Sequence, residues 1–497
     1  MPASVLVFAV RSFSRACFVF ALLVACVGCG GVAEEATDSV GSELPGVSGE
    51  PFDTASRLAT QAAAGSDAYE ILRSLTVEVG PRPAGSEGDR RAVAWAEEKL
   101  QGLGFDEVWL EPVTVPHWER SREAGQILSP FPQPVILTAL GGSVATPPDG
   151  TEAEVVRVES LDALDALDNA EVDGRIVFID GGRMPAKATG EGYGPAVQPR
   201  VLGPSAAGAK GAVALLIRSA GSSTDRIAHT GSTRYETGVP RIPAAALSNP
   251  DADLLTEQVK AAEARGERAR FRLELETREL PDATSYNVIA DLRGRERPDQ
   301  VVLLGAHLDS WDLATGAQDD GAGVAIVVEA ARLIGELSPR PRRTVRVVLY
   351  ANEEFGLAGA RAYAEARGPE ELAEHVAAAE ADFGAGAVWA FRSRVDPADV
   401  EMAKQIASVL TPLGVDYGGN QARGGADLIP LAPHRVPVFD LTQDGTAYFD
   451  VHHTINDTLD KVDRGALDQN VGVYSAFAYL AAELPEAFQR GPEVERP

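Results

Sequence analysis

From residue 282 onward, short unbroken apolar runs alternate with stretches whose apolar positions recur every three or four residues. The runs predict strands buried on both faces at 301–306, 345–350, 376–380 and 436–441. The periodic stretches predict amphipathic helices at 321–337, 357–366, 400–410 and 467–484. Such alternation defines an α/β fold with a largely parallel sheet covered by helices on both faces.

Near the start of the chain, Tyr69, Leu72, Leu75 and Val79 share one helical face, and Gly80-Pro81-Arg82-Pro83 ends that helix because proline cannot donate into its ladder. Ser86 caps a second helix running through Ala92, Trp95 and Leu100, which Gly102 and Gly104 stop. A strand is expected around 108–115. Proline and glycine are dense from 127 to 150, which marks a boundary, and further buried strands are predicted at 174–180 and 211–217. Residues 126–281 therefore read as a small α/β domain inserted into a larger discontinuous one, formed by 55–125 and 282–490. Residues 30–54, rich in glycine, serine, glutamate and proline, read as a flexible tether.

Residues 1–29 have the layout of an export signal. Arg11 and Arg15 precede an uncharged run at 16–28, too short to span a bilayer. Leu23-Val24-Ala25-Cys26 resembles a bacterial lipobox, so the expected product is an exported protein tethered to the envelope by lipid on Cys26, with Cys29 as second candidate. A plain signal would give a secreted protein instead. All three cysteines lie in this segment, which excludes a disulfide framework or a cysteine-ligated metal further on.

Composition narrows the class. Hydrophobic residues make up 45% and charged residues 24%, enough for a full core. The net charge of −28 repels phosphate backbones, so nucleic acid is not an expected partner. The Gly-Xaa-Ser-Xaa-Gly elbow, the His-Glu-Xaa-Xaa-His pair and the phosphate-binding glycine loop are all missing from the sequence.

Histidines and carboxylates instead gather where predicted strands end. His307-Leu308-Asp309 follows the first strand and Asp319-Asp320 opens the next helix; Glu353-Glu354 follows the second strand and Glu380-Ala381-Asp382 closes the third. His452-His453 precedes Asp457-Thr458. Ligands bind at the carboxyl ends of strands in open parallel sheets, and imidazole with carboxylate suits zinc. A two-metal site needs a bridging carboxylate, further ligands on each ion and a base for the attacking water. Each motif alone has an ordinary reading: a surface His-Asp pair, solvated acids, or carboxylates facing a helix dipole. Together, in order at strand ends, they point to metal-dependent chemistry.

His307-Leu308-Asp309-Ser310-Trp311-Asp312, Asp319-Asp320-Gly321-Ala322-Gly323, Glu353-Glu354, Glu380-Ala381-Asp382 and His453-Thr454-Ile455-Asn456-Asp457-Thr458 resemble the M28 family of dizinc exopeptidases. The first string and Pro116-His117-Trp118 look most like its plasma glutamate carboxypeptidase (carboxypeptidase Q) branch, over residues 65–485. Residues 126–281 are similar to the protease-associated domain inserted in that branch. The resemblance implies the zinc-exopeptidase fold and two zinc ions per chain. His307 and Asp382 would hold one ion, Glu354 and His453 the other, and Asp319, joined to Asp320 by a cis bond, would bridge both. Asp309 would orient His307 through its other ring nitrogen, and Glu353 would be the general base. His452 stands where a related branch has a tyrosine that stabilises the tetrahedral oxyanion, so it serves as a donor or as packing. Asp457 with Thr458 would fix the ligand loop. His117, His229, His375 and His434 match no family ligand and read as structural or exposed. Implied substrates are short peptides, including dipeptides with a free amino terminus, and a homodimer is among the expected assemblies. Two rivals stay open: a glutaminyl cyclase with the same fold and one zinc, and a non-catalytic binding protein.

Overall fold

In the computed structural model, residues 49–492 are described; the export segment, Cys26, Cys29 and residues 30–48 lie outside them. The strands in chain order are β1 (Glu107–Ser129), β2 (Gln133–Val135), β3 (Leu137–Ala139), β4 (Thr151–Val158), β5 (Ile176–Ile179), β6 (Ala214–Arg218) and β7 (Ala244–Leu247). They continue as β8 (Arg270–Leu292), β9 (Arg297–His307), β10 (Arg343–Tyr350), β11 (His375–Glu380), β12 (Val388–Arg394), β13 (Asp416–Tyr417) and β14 (Val438–Gln443). All belong to one mixed sheet, ordered β13-β12-β14-β11-β9-β10-β8-β4-β5-β6-β7-β3, with β1 alongside β8 and β2 alongside β1.

The centre of the sheet is parallel, as expected: β10, β9, β11 and β14 run together, flanked by antiparallel β8 and β12. In β9, Val302 and Leu304 enter one apolar core while Val301 and Leu303 enter another on the opposite face. That double burial is what the unbroken apolar run encodes. The Ala322–Gly335 and Arg464–Glu483 helices cover the first face and the Ala358–Leu372 helix the second. Ser86 caps its helix by accepting the Asp89 N–H at 3.1 Å. No helix among the described residues is long and apolar enough to cross a membrane.

Two features differ from expectation. Residues 50–54, read as the end of a tether, form the start of the Glu50–Ala64 helix, with Thr54 and Ala55 buried. The reason is packing: this helix lies against the C-terminal one, and a Cβ on Gly472 would press to 2.5 Å of the Ala59 carbonyl oxygen. The strand expected at 108–115 is the first third of a 23-residue strand, β1, paired antiparallel with the equally long β8. Positions 125–126 and 281–282 both fall inside this ribbon. Its middle is polar (Glu119, Arg120, Arg122 and Glu123), and register shifts interrupt it near His117, Glu123 and Ser129, so no run or alternation marks it in sequence.

Beyond β8, β4 to β7 form a second parallel run with its own apolar clusters on either face. The strands predicted at 174–180 and 211–217 appear there as β5 and β6.

Candidate metal centre

Strand register builds the site. His307, the last residue of β9, pairs with Tyr350, the last of β10, and Gly305 pairs with Glu380, the last of β11. The loops carrying Asp309, Glu353, Glu354 and Asp382 therefore leave the sheet side by side.

His307 Nε2 faces Asp319 Oδ1 at 3.1 Å and Asp382 Oδ1 at 3.5 Å. On the other side of Asp319, His453 Nε2 lies 3.1 Å from Oδ2 and 3.0 Å from Glu354 Oε2. Asp319 thus offers one oxygen to each of two ligand sets, His307–Asp319–Asp382 and Asp319–Glu354–His453. Its peptide bond to Asp320 is cis. The Asp320 carboxylate accepts the backbone N–H groups of His307 and Gly323, each at 3.1 Å. A Cβ at Gly323 would collide with the Ala381 carbonyl and this carboxylate, which explains the last glycine of Asp319-Asp320-Gly321-Ala322-Gly323.

The donor set fits divalent metal. His453 Nδ1 lies 3.3 Å from the Thr230 carbonyl oxygen and His307 Nδ1 lies 3.1 Å from that of Asp309. A carbonyl accepts only from N–H, so each ring carries its proton on Nδ1 and, when neutral, offers the Nε2 lone pair to a metal. In that neutral form both lone pairs face carboxylate oxygens, an arrangement that a cation held between them relieves. Asp319 Oδ2 and Glu354 Oε1 are buried without a hydrogen-bond partner. Such an array needs cations to be stable. Burial pushes Glu354 up to about 7 and Glu353 well above the usual carboxylate range, the latter opposed by His307.

Asp309 differs from expectation. Its carboxylate stands 3.7 Å from His307 Nδ1, and the backbone oxygen orients the ring instead. The carboxylate accepts the N–H groups of Glu353 at 3.0 Å and Glu354 at 3.4 Å. A buried carboxylate takes the donors within reach, and here those are the main-chain amides just past β10. Asp309 therefore positions the two glutamates.

His452 stacks on His453 with 3.6 Å between ring centroids, its Nε2 3.4 Å from Asp319 Oδ2. Asp457 accepts from the Gln318 and Asp319 amides, whereas Thr458 bonds only within its own turn. Beside Asp382 opens a cleft of about 700 Å³, lined among others by Phe383, Arg392, Gly424, Gly425 and Gln443.

Sequence reasoning passed over three residues here. Arg82, read only as part of a helix stop, is fully buried and donates to the carbonyls of Leu308, Thr315 and Gly316. Trp311 donates its Nε1–H to Glu354 Oε2. His229, read as structural or exposed, is buried and contacts His452. Of these, only Trp311 lay in a recognised motif. His375 is buried against Tyr363 on the far face of the sheet, while His117 and His434 belong to neither ligand set.

The model of Peptidase family M28 matches residues 287–478. Carboxypeptidase Q of Bos taurus is 35% identical over 423 residues, 85% of this chain and 86% of that protein. The crystal structure of a peptidase M28 precursor from Shewanella amazonensis SB2B superposes with a TM-score of 0.86 at 49% identity, covering 89% of this chain and 99% of that one. A zinc aminopeptidase from Bacillus subtilis shares the fold, with a TM-score of 0.59 at 20% identity over 84% of this chain and 94% of that one. The chain belongs to peptidase family M28. It is a metallopeptidase of mixed α/β fold.

Proposed function

We propose that this protein is an exported dizinc exopeptidase that hydrolyses short peptides, dipeptides among them. One observation carries the reading: Asp319 turns one carboxylate oxygen to each of two buried ligand sets. His307 and Asp382 would hold one zinc and Glu354 and His453 the other, with Asp319 between them. Zinc bound there supplies Lewis-acid polarisation of the scissile carbonyl and a water acidified towards neutrality. Glu353 takes the proton of the attacking water and returns it to the leaving amine. Asp309 fixes the backbone of that base, and the cleft beside Asp382 accommodates a few residues of peptide. The relatives act as a carboxypeptidase and a zinc aminopeptidase by name, which supports an exopeptidase without choosing the end attacked. Residues 126–281 are read as a protease-associated-like insertion, and lipid on Cys26 as the only membrane attachment.

Elemental analysis with a mass-spectrometric digest of a mixed peptide library tests this reading. About two zinc ions per chain and stepwise trimming from one end are expected. One ion with full activity would favour the single-zinc cyclase chemistry instead, and two ions without hydrolysis a binding protein.

A further inference from the structure

His229 lies in the loop between β6 and β7, in the half of the sheet remote from the metal-binding strands, yet its ring reaches the centre. Its Nε2 lies 3.0 Å from His452 Nδ1, and both side chains are buried. Resting on the dizinc reading above, we infer that His229 is a positioning residue: its Nε2–H donates to His452 Nδ1 and fixes His452 in the tautomer that presents an Nε2–H to the oxyanion developing on the peptide carbonyl.

Two nitrogens sharing one hydrogen bond need one proton between them, and two observations say which ring supplies it. His229 Nδ1 is buried without a partner. If His452 were the donor, the neutral His229 would carry its proton on Nδ1 and leave a buried N–H unpaired. His452 Nε2 would also turn a lone pair towards Asp319 Oδ2, 3.4 Å away. With His229 as donor, its Nδ1 buries only a lone pair, less costly than an unpaired N–H, and His452 turns an N–H rather than a lone pair towards that oxygen.

The neighbouring residue does the opposite to the neighbouring histidine. Thr230 donates its N–H to the His453 carbonyl at 3.0 Å, while its own carbonyl oxygen faces His453 Nδ1. The dipeptide His229-Thr230 thus docks on His452-His453 and sets their tautomers in opposite senses. One imidazole offers a lone pair to metal, and the ring stacked on it offers an N–H. His229 is itself held by its backbone N–H donating to Ser219 Oγ at 2.9 Å. Gly221 leaves room for the Phe449 carbonyl and the ring, since a Cβ there would stand 2.8 Å from that oxygen and 3.3 Å from His229 Cδ2. A third metal among His229, His452 and His453 would compete for nitrogens already in use: His453 Nδ1 faces Thr230 and its Nε2 faces Asp319 and Glu354.

Four measurements on the full-length zinc enzyme decide the matter. His452→Leu should lower kcat by about 10²–10³, as removal of one oxyanion donor does. His229→Leu should lower kcat by about tenfold or more, with KM and zinc content unchanged, and should add nothing in the His452→Leu background. His229→Gln, whose amide can donate to the same nitrogen, should recover most of the rate. In 15N spectra of histidine-labelled protein, His452, identified by its loss in His452→Leu, should show an unprotonated Nδ1 and a protonated Nε2. Full kcat in His229→Leu, additive losses in the double variant, a third metal ion per chain, or a protonated His452 Nδ1 would each overturn the assignment. If His229→Leu does not fold, His229→Gln and the wild-type spectrum decide. Absence of peptide hydrolysis by wild type would sink the exopeptidase reading, while the spectrum would still settle the tautomer.

Discussion

Asp457 holds Asp319 by its backbone: one carboxylate oxygen accepts the Asp319 N–H at 3.1 Å and the other accepts the Gln318 N–H at 2.6 Å. The carboxylate shared by both ligand sets is therefore aimed from behind by a second one. Asp457→Asn replaces one accepting oxygen with an NH2 group facing an N–H. Zinc affinity should fall by about 10–100-fold, the usual cost of losing such support. Competition with a chelating dye measures it, and unchanged affinity would mean that the loop holds its shape without Asp457.

The adjacent glutamates should fail differently. Glu353→Gln keeps the shape but loses the proton acceptor, so metal stays bound while kcat falls by roughly 10²–10⁴ with KM little changed. Glu354→Gln exchanges an anionic ligand for a neutral amide, so one of two ions binds weakly and excess zinc restores part of the rate. Equal metal loss in both variants would reverse the assignment.

Arg82 stabilises the loop that carries the first ligands. Arg82→Met should leave the carbonyls of Leu308, Thr315 and Gly316 without their donor, costing about 3 kcal/mol or more in total. Arg82→Lys should recover little, because one ammonium group cannot reach all three carbonyls in the fork geometry. Denaturant midpoints of the three proteins provide the check.

His375 should make the fold sensitive to acid. Burial, with Arg346 nearby, brings this imidazole down to about 3, and it sits 2.8 Å from the Tyr363 hydroxyl. Between its unfolded value near 6.5 and about 3, the unfolded chain binds a proton that the folded chain refuses. Its contribution is therefore complete above that window and lost as pH falls, by about 1.4 kcal/mol per unit. His375→Gln should flatten that slope between pH 6.5 and 5 relative to wild type in urea titrations.

At the other end of the chain, Cys26→Ser should abolish labelling by radioactive fatty acid. Label that survives it but disappears in Cys29→Ser would move the anchor to Cys29.

Legibility in the sequence follows the type of atom involved. His307, Glu353, Glu354 and Asp382 could be read because the strands before them are buried on both faces and show as apolar runs, whereas Asp319 and His453 were marked by the motifs around them. In the proposed mechanism their side chains do the chemistry directly. Arg82, Asp309 and Thr230 act on or through main-chain carbonyls and amides, which every residue carries and no motif marks. His229 meets its partner across 223 residues of chain, so nothing local signals the contact. The β1–β8 ribbon escaped notice because its polar middle carries charged residues that bond across the pair, as in the 2.8 Å contact of Arg278 with Glu119.

That ribbon also limits how the protein can be taken apart. A minimal enzyme cut at 125 and rejoined at 282 would sever two 23-residue strands in mid-ladder, leaving stumps with unpaired edges open to other chains. It would also discard His229 and Thr230, and with Thr230 the carbonyl that faces His453 Nδ1. The segment between those positions is part of the catalyst's frame, so protein engineers should graft onto its loops rather than remove it.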